Sequence, residues 1–234
     1  MTHVLILAGT GRYGDQWHDH AATSREIARV LEPLGVAWTV LGTVPAAFER
    51  LETTDLLVVN TGRGPDPADA GTTTEPEAEW KQAHAALIRY LRSARPVIGV
   101  HSAALSFRDV PEWGERIGTR WITGHSMHPP LDTAHVEVDP AGRHPVTQGL
   151  ASFDVTDERY TRLKVDETAV RPVHHLHQDR RHPLVVLTEH HGRRTVYDAL
   201  GHDTRSYRSP ERCRLLLREA AWALGHDDEA VREL

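Results

Sequence analysis

The chain has 234 residues, of which 39% are hydrophobic and 26% are charged, with 27 lysines and arginines against 33 aspartates and glutamates. This composition excludes a disordered, collagen-like or low-complexity chain. The formal net charge of -6 argues against the phosphate backbone of nucleic acids as the main partner. The length predicts one domain over residues 1–234.

The N-terminal part alternates short apolar runs with helical patterns. Residues 4–8 form an apolar run that predicts a buried strand, ended by glycines. Thr23 and Glu26 match a capping box, which predicts a helix that begins near Ser24. Further apolar runs predict strands over 36–41, 56–59 and 96–100.

A second capping box lies between the third and fourth predicted strands. Thr74 and Glu77 predict a helix that buries Trp80, Leu87 and Leu91. Because strands and helices have alternated several times by residue 100, a parallel, doubly wound α/β sheet is the favoured architecture.

The C-terminal part is less regular. Residues 107–133 show no long period, which is typical of a functional loop. Strands are predicted over 134–138, 184–188 and 195–200, and a last helix begins at Ser209-Pro210, an N-cap followed by proline. Two histidine-rich runs, 174–177 and 190–191, are interpreted as solvated faces or loops.

Several predicted strands are followed by glycine beside a polar residue. These segments are 9–14, 60–64, 101–103 and 201–203. Ligands of open parallel sheets bind outside the carboxyl ends of the strands, so these segments are expected to converge. The glycine pattern 9–14 does not run directly into a helix, so a turn is favoured over dinucleotide binding.

His101 occupies the sharp turn after a strand, where related folds place a nucleophile. The residue is a histidine, and Cys213, the only cysteine, falls on the buried face of the last helix, so serine or thiol catalysis is disfavoured. Histidine serves instead as a general base or a metal ligand. The candidates are His101, His125, Glu158, His202 and Asp203, as an acid/base set or as a divalent metal site with His101, His125 and His202 as ligands.

Aromatic side chains flank the candidate loops. Trp17, Trp113 and Trp121 have faces that suit the C–H faces of sugar rings, and Trp113 is the candidate substrate contact. Packing in the core is the alternative for each of them.

The motifs resemble those of the ThuA-like (trehalose utilisation) family, in an order that covers nearly the whole chain. The resemblance implies an α/β, flavodoxin-like three-layer sandwich with a mostly parallel central sheet, related to class I glutamine amidotransferases. It also implies that His101 stands where those enzymes keep cysteine. The motifs are Gly99-Val100-His101-Ser102-Ala103, Phe107-Arg108-Asp109, Pro111-Glu112-Trp113, Gly124-His125, Pro129-Pro130, His144-Pro145-Val146-Thr147, Thr156-Asp157-Glu158 and Ala199-Leu200-Gly201-His202-Asp203.

The resemblance further implies a role in the use of disaccharides through 3-keto derivatives. Matching positions add three substrate-binding candidates, His18, Asp19 and Arg63, and repeat His125 in that role. The chain departs from the family pattern at 65–74 and at 174–191.

These observations lead to three hypotheses. The first is an enzyme that acts on a sugar or keto-sugar, with His101 or His202 as base and Asp203 or Glu158 as its partner, and no glutaminase activity. The second is a non-catalytic sugar-binding or regulatory subunit, and the third is a metal-dependent hydrolase of another small molecule. A cytoplasmic location is expected, with no membrane or nucleic-acid partner, and a homodimer is common for such folds.

Overall fold

The computed structural model describes residues 1–64, 75–139 and 143–234. Five parallel strands form one half of a nine-stranded sheet, in the order β2-β1-β3-β4-β11. β3 and β4 are buried throughout, and β1 is buried from Val4 on, because helices cover both faces. The five strands are β1 (His3–Ala8), β2 (Ala37–Gly42), β3 (Leu56–Asn60), β4 (Val97–Val100) and β11 (Arg193–Asp198).

Helices form the two outer layers. α1 (His20–Leu31) contacts α4 (Pro210–Ala223), whereas α2 (Glu77–Arg92) contacts α3 (Pro111–Ile117), so right-handed crossovers place the two pairs on opposite faces. A short α5 (Asp228–Glu233) ends the chain. The expected α/β sandwich is therefore confirmed, with the parallel strands together in one half of the sheet.

The other half of the sheet is antiparallel, which the sequence patterns did not predict. It continues from β11 through β10 and β9 to β6 and β7. A separate two-stranded sheet pairs β5 with β8. The bounds are β5 (Thr119–Arg120), β6 (Asp132–Val138), β7 (Phe153–Asp157), β8 (Lys164–Val165), β9 (Val170–His177) and β10 (Arg180–His190).

The histidine-rich run 174–177 was wrongly interpreted as a solvated face or loop. It lies in β9, where His175 is fully buried and its Nε2 donates to the carbonyl of Tyr160 at 3.0 Å. A buried histidine that finds a backbone acceptor behaves as a half-polar core residue. The other run, 190–191, is exposed at the end of β10 and in the turn after it, as the interpretation has it. Polar residues therefore concealed β9, whereas part of β10 was predicted.

Two segments also differ from the prediction. α1 begins at His20, because the carboxylate of Asp19 accepts from the backbone N–H of Ala22 at 2.9 Å and caps the helix. The segment 107–133 holds α3 and β5 rather than loop alone. Thr74 and the departure at 65–74 lie outside the described residues. The Ser209-Pro210 start of α4 is confirmed.

Candidate functional site

Four side chains meet at the carboxyl edge of the parallel strands. His18 follows β1, His101 follows β4, His202 follows β11, and Glu158 comes directly after antiparallel β7. One nitrogen or oxygen from each lies within 4.8 Å of those of the other three. The antiparallel extension thus supplies the carboxylate that the parallel strands lack. We call these four residues the His₃Glu cluster.

His101 is held by its backbone and by its ring. Its φ of 48° is in the left-handed region, so the side chain turns sharply out of β4. Nδ1 donates to the carbonyl of Ala199 at 2.7 Å, and the Tyr160 ring packs on the imidazole at a centroid distance of 4.3 Å. Because Nδ1 makes this bond, Nε2 is the ring nitrogen that faces the cluster.

His18 is oriented by Asp15, which sequence reasoning missed. The Asp15 carboxylate accepts from the backbone N–H groups of Trp17 and His18, and from His18 Nδ1 at 2.7 Å. Burial would raise the pKa of Asp15, but the bond from His18 brings that pKa below its usual value. His18 Nε2 is therefore the unprotonated nitrogen of the neutral ring, and burial lowers the pKa of His18.

Glu158 and His202 form the charged part of the cluster. Glu158 Oε2 lies 3.3 Å from His202 Nδ1 and 3.4 Å from His101 Nε2. Burial would raise the pKa of Glu158, but the two imidazoles bring that pKa well below its ordinary value. Burial would lower the pKa of His202, but Glu158 raises it. The pair thus favours a carboxylate beside an imidazolium.

Asp157 fixes the loop that carries His202. Its carboxylate accepts from the backbone N–H groups of Gly201 at 2.7 Å and of His202 at 3.1 Å. The side chain is fully buried. The end of β7 therefore positions the loop after β11 as well as Glu158.

A cavity of about 550 Å³ opens onto the cluster. This volume is in the range of small-molecule sites. Trp17 is largely exposed at this cavity, whereas Trp121 packs against Tyr160 at a centroid distance of 4.8 Å. The lining consists of Asp15, Trp17, His18, Arg63, Ser102, Leu105, Trp121, His128, Glu158, Tyr160 and His202.

The Ser102 hydroxyl takes part in structural hydrogen bonds. Its hydroxyl donates to the carbonyl of Thr61 at 2.9 Å, so His20 Nε2, 3.1 Å away, is the donor to the Ser102 oxygen. Burial lowers the pKa of His20 to about 4, which keeps its ring neutral. Ser102 therefore has no base poised to activate it.

Four predicted site residues lie outside both this lining and the His₃Glu cluster. Asp19 caps α1, and Trp113 is fully buried with its Nε1 donating to the carbonyl of Ala103 at 2.8 Å. His125 is exposed, and Asp203 pairs with Arg205. His128 contacts the cluster where His125 was expected, with Nδ1 3.5 Å from Glu158 Oε1. Asp15, His128 and Tyr160 were missed, and only the three-residue spacing of Asp15 and His18 could have indicated one of them.

The fold and the site together define an α/β protein of the glutamine amidotransferase-like class, with histidine at the turn after β4. The family model described as ThuA, trehalose utilisation, matches residues 3–223. The chain therefore belongs to the ThuA family.

Similar solved structures support the fold. A ThuA-like protein from Parabacteroides merdae is 18% identical, with a TM-score of 0.73 over 96% of this chain and 90% of its own. One from Bacteroides uniformis is 17% identical, with a TM-score of 0.69 over 98% and 93%. A glutamine amidotransferase from Thermotoga maritima is 14% identical, with a TM-score of 0.50 over 99% and 89%.

No protein of curated function matches the sequence. Among the described helices, none has the length and apolar character needed to cross a membrane.

Proposed function

We propose that the protein is a carbohydrate-utilisation enzyme that acts on a neutral sugar or keto-sugar. The observation that carries the proposal is a charged carboxylate–imidazole pair at the wall of an aromatic-sided cavity of about 550 Å³. Membership of a family described by trehalose utilisation supports the substrate class.

The cavity offers both kinds of contact that a sugar needs. Trp17 and Trp121 provide apolar faces for the C–H groups of a ring. Arg63 and His128 lie on the same lining and supply hydrogen-bonding groups for hydroxyls. Asp19, Trp113 and His125 have no part in this proposal, because each lies outside the lining described above.

The chemistry that we propose is proton transfer next to a carbonyl. A base takes the proton from the carbon beside a keto group, the electron pair moves onto the carbonyl oxygen, and reprotonation completes an isomerisation or elimination. Glu158 and His202 are the proton-transfer pair, since both line the cavity and each shifts the pKa of the other. His101 supports Glu158 from behind the lining, whereas the Asp203 carboxylate pairs with Arg205 and acts on His202 through its charge.

Glutamine hydrolysis is not part of the proposed activity. Cys213 lies on α4, where its thiol donates to the carbonyl of Tyr207 at 3.2 Å, outside the cavity lining. A thioester needs a thiolate at the reacting carbon. We also propose a cytoplasmic location, where an unpaired cysteine stays reduced.

Solvent exchange tests the proposal. The full chain is incubated in D₂O with trehalose and with its 3-keto derivative, and deuterium incorporation beside the keto group is followed by NMR. We expect exchange on the keto derivative only, reduced about 100-fold or more in Glu158→Gln.

His125→Gln, at an exposed histidine, is the matched control and should exchange normally. Binding of either sugar by calorimetry, without exchange or any other turnover, would favour the non-catalytic sugar-binding alternative. Absence of binding as well would overturn the carbohydrate assignment.

A further inference from the structure

The imidazole nitrogens of the His₃Glu cluster face one another without hydrogen bonds. His18 Nε2, His101 Nε2 and His202 Nδ1 are buried and have no hydrogen-bond partner among residues 1–64, 75–139 and 143–234. His101 is 1% exposed, so water reaches its ring poorly. Buried polar atoms are normally paired, and three orphans aimed at one point indicate a missing partner.

In two of these histidines, the hydrogen bond of the outer ring nitrogen explains why the other nitrogen faces the cluster. The Nδ1 atoms of His18 and His101 each donate, one to the Asp15 carboxylate and one to the Ala199 carbonyl, both at 2.7 Å. Each neutral ring therefore presents an unprotonated Nε2 to the cluster. A carboxylate or carbonyl that fixes the outer nitrogen is the usual support of a metal-bound histidine.

The spacing of the donors fits one ion. Glu158 Oε2 lies 3.3 Å from His202 Nδ1 and 3.4 Å from His101 Nε2, which is long for a charge-assisted hydrogen bond of about 2.7–2.9 Å. Two ligands of a tetrahedral zinc ion, each about 2.0–2.1 Å from the metal, lie about 3.3–3.4 Å apart. The observed separations therefore suit donors that share an ion better than donors bonded to each other.

We propose that His18, His101, Glu158 and His202 bind one divalent first-row transition-metal ion. Three imidazoles and one carboxylate suit zinc, manganese, iron, cobalt or nickel, whereas calcium and magnesium prefer oxygen ligands. Because His18, Glu158 and His202 also line the cavity, a further coordination position would face the substrate. An ion there would occupy the donor atoms of Glu158 and His202, so the proton transfer proposed above for this pair belongs to the metal-free chain. In its place the ion would supply a Lewis acid for a carbonyl oxygen.

This site differs from the one that the sequence suggested. His125 is exposed and has no atom in the cluster, and its place is taken by His18 with Asp15 behind it. The new ligand set also draws on antiparallel β7, since Glu158 follows that strand directly. The assignment does not depend on which substrate occupies the cavity.

Metal content and affinity test the proposal without any substrate. The tag-free full chain is stripped with a chelator, and Zn²⁺ and Mn²⁺ are titrated by calorimetry, with bound metal measured by mass spectrometry. We expect one ion per chain, with a submicromolar Kd for Zn²⁺ and weaker binding of Mn²⁺. Failure of the wild-type chain to bind a stoichiometric ion of either kind would overturn the proposal.

Variants test which residues bind the ion and which only support those ligands. Glu158→Gln and His202→Gln should each weaken Zn²⁺ binding at least 100-fold, and Asp15→Asn should weaken it about 10–100-fold through His18. His125→Gln is the matched control, because His125 is an exposed histidine with no atom in the cluster. It should bind as the wild type does.

Folding of each variant is checked by the Tm of the metal-free protein. The Co²⁺-loaded wild type should show visible absorption bands that Glu158→Gln loses. Unchanged Zn²⁺ affinity in folded Glu158→Gln and His202→Gln would place the ion elsewhere and overturn the assignment. Metal binding without the solvent exchange described above would leave this site standing and reject the proposed activity.

Discussion

At the scale of single residues, the backbone around the cluster is as specific as its side chains. His101 adopts a left-handed φ and its own carbonyl accepts from the Tyr197 hydroxyl at 2.9 Å. Gly9, after β1, must lack a side chain, because a Cβ there would lie 2.5 Å from the Tyr13 carbonyl oxygen. The site therefore depends on one residue that tolerates strain and one that has no side chain.

Asp157 is the residue whose loss is expected to disturb both sides of the site. Asp157→Asn keeps the shape but turns an amide N–H₂ toward backbone N–H groups that need acceptors. We expect the metal-free protein to lose about 1–3 kcal/mol of stability. Urea denaturation measures the change, with Asp154→Asn on the same strand as control.

Asp154 is a suitable control because it carries the same carboxylate on the same strand as Asp157 but lies in exposed surroundings. Asp154 pairs with His135, and both side chains are more than half exposed. Its substitution should change stability by less than about 0.5 kcal/mol. Equal effects of the two substitutions would show that Asp157 does not hold the loop of His202.

At the scale of elements, α1 shows why a boundary can be misplaced. Thr23 and Glu26 have the spacing of a capping box, but Asp19 caps the helix four residues before Thr23. Thr23 is instead buried inside the helix, where its hydroxyl accepts from Asn60 Nδ2 at 2.8 Å. The spacing of a capping box is therefore present, but its threonine contacts β3 instead of capping the helix.

The turn at His144 gives an element-scale test by pH. The Val146 N–H donates to His144 Nδ1 at 3.3 Å, and the ring packs on Trp222 of α4. Burial lowers the pKa of His144 to about 4. The unfolded chain, with a histidine pKa of about 6.5, therefore binds more protons, and stability must fall as the pH drops from 6.5 to 4.

The variant His144→Asn should remove part of this pH dependence. The full shift would correspond to about 3 kcal/mol, and solvent screening at this half-buried site should leave about 1–2 kcal/mol. Denaturation of the metal-free protein at pH 7 and pH 4.5 measures the difference. The control variant His191→Asn, at an exposed position, should show the same difference in stability between pH 7 and pH 4.5 as the wild type.

At the scale of the whole molecule, the parallel half was predictable, whereas of the antiparallel half the sequence predicted only parts of β6 and β10 and not their antiparallel pairing. The apolar runs before Gly9, Asn60 and His101 mark strands buried on both faces, and parallel strands bring their ends together. The antiparallel strands β6, β7 and β9 mix polar and apolar residues because helices do not cover both of their faces. Glu158 was a candidate from its motif, and it reaches the cluster because it follows β7 of that antiparallel half. Sequence spacing alone could not show that His128, and not His125, contacts the cluster.

A buried ionic group connects the sheet to α4 beneath the site. Arg212 Nη2 lies 2.8 Å from Asp198 Oδ2, and both side chains, like Glu219, are fully buried. Asp198 is followed directly by Ala199, whose carbonyl holds His101. Burial raises the pKa of both carboxyls, that of Glu219 well above its usual value, while the adjacent Arg212 guanidinium opposes the rise at Asp198, so Arg212 and Asp198 carry the charges of this group.

Removal of Arg212 should therefore destabilise the whole fold. Arg212→Leu leaves Asp198 without its counter-charge, and breaking a buried pair in this way typically costs about 3–5 kcal/mol. The double variant Arg212→Leu with Asp198→Asn should recover part of that loss, because no buried charge remains. Arg214→Leu, at an exposed position of α4, is the control. Urea denaturation of the wild type, the single variants Arg212→Leu and Asp198→Asn, and the double variant closes the cycle. A double variant no more stable than Arg212→Leu would show that the loss comes from packing rather than from the stranded charge.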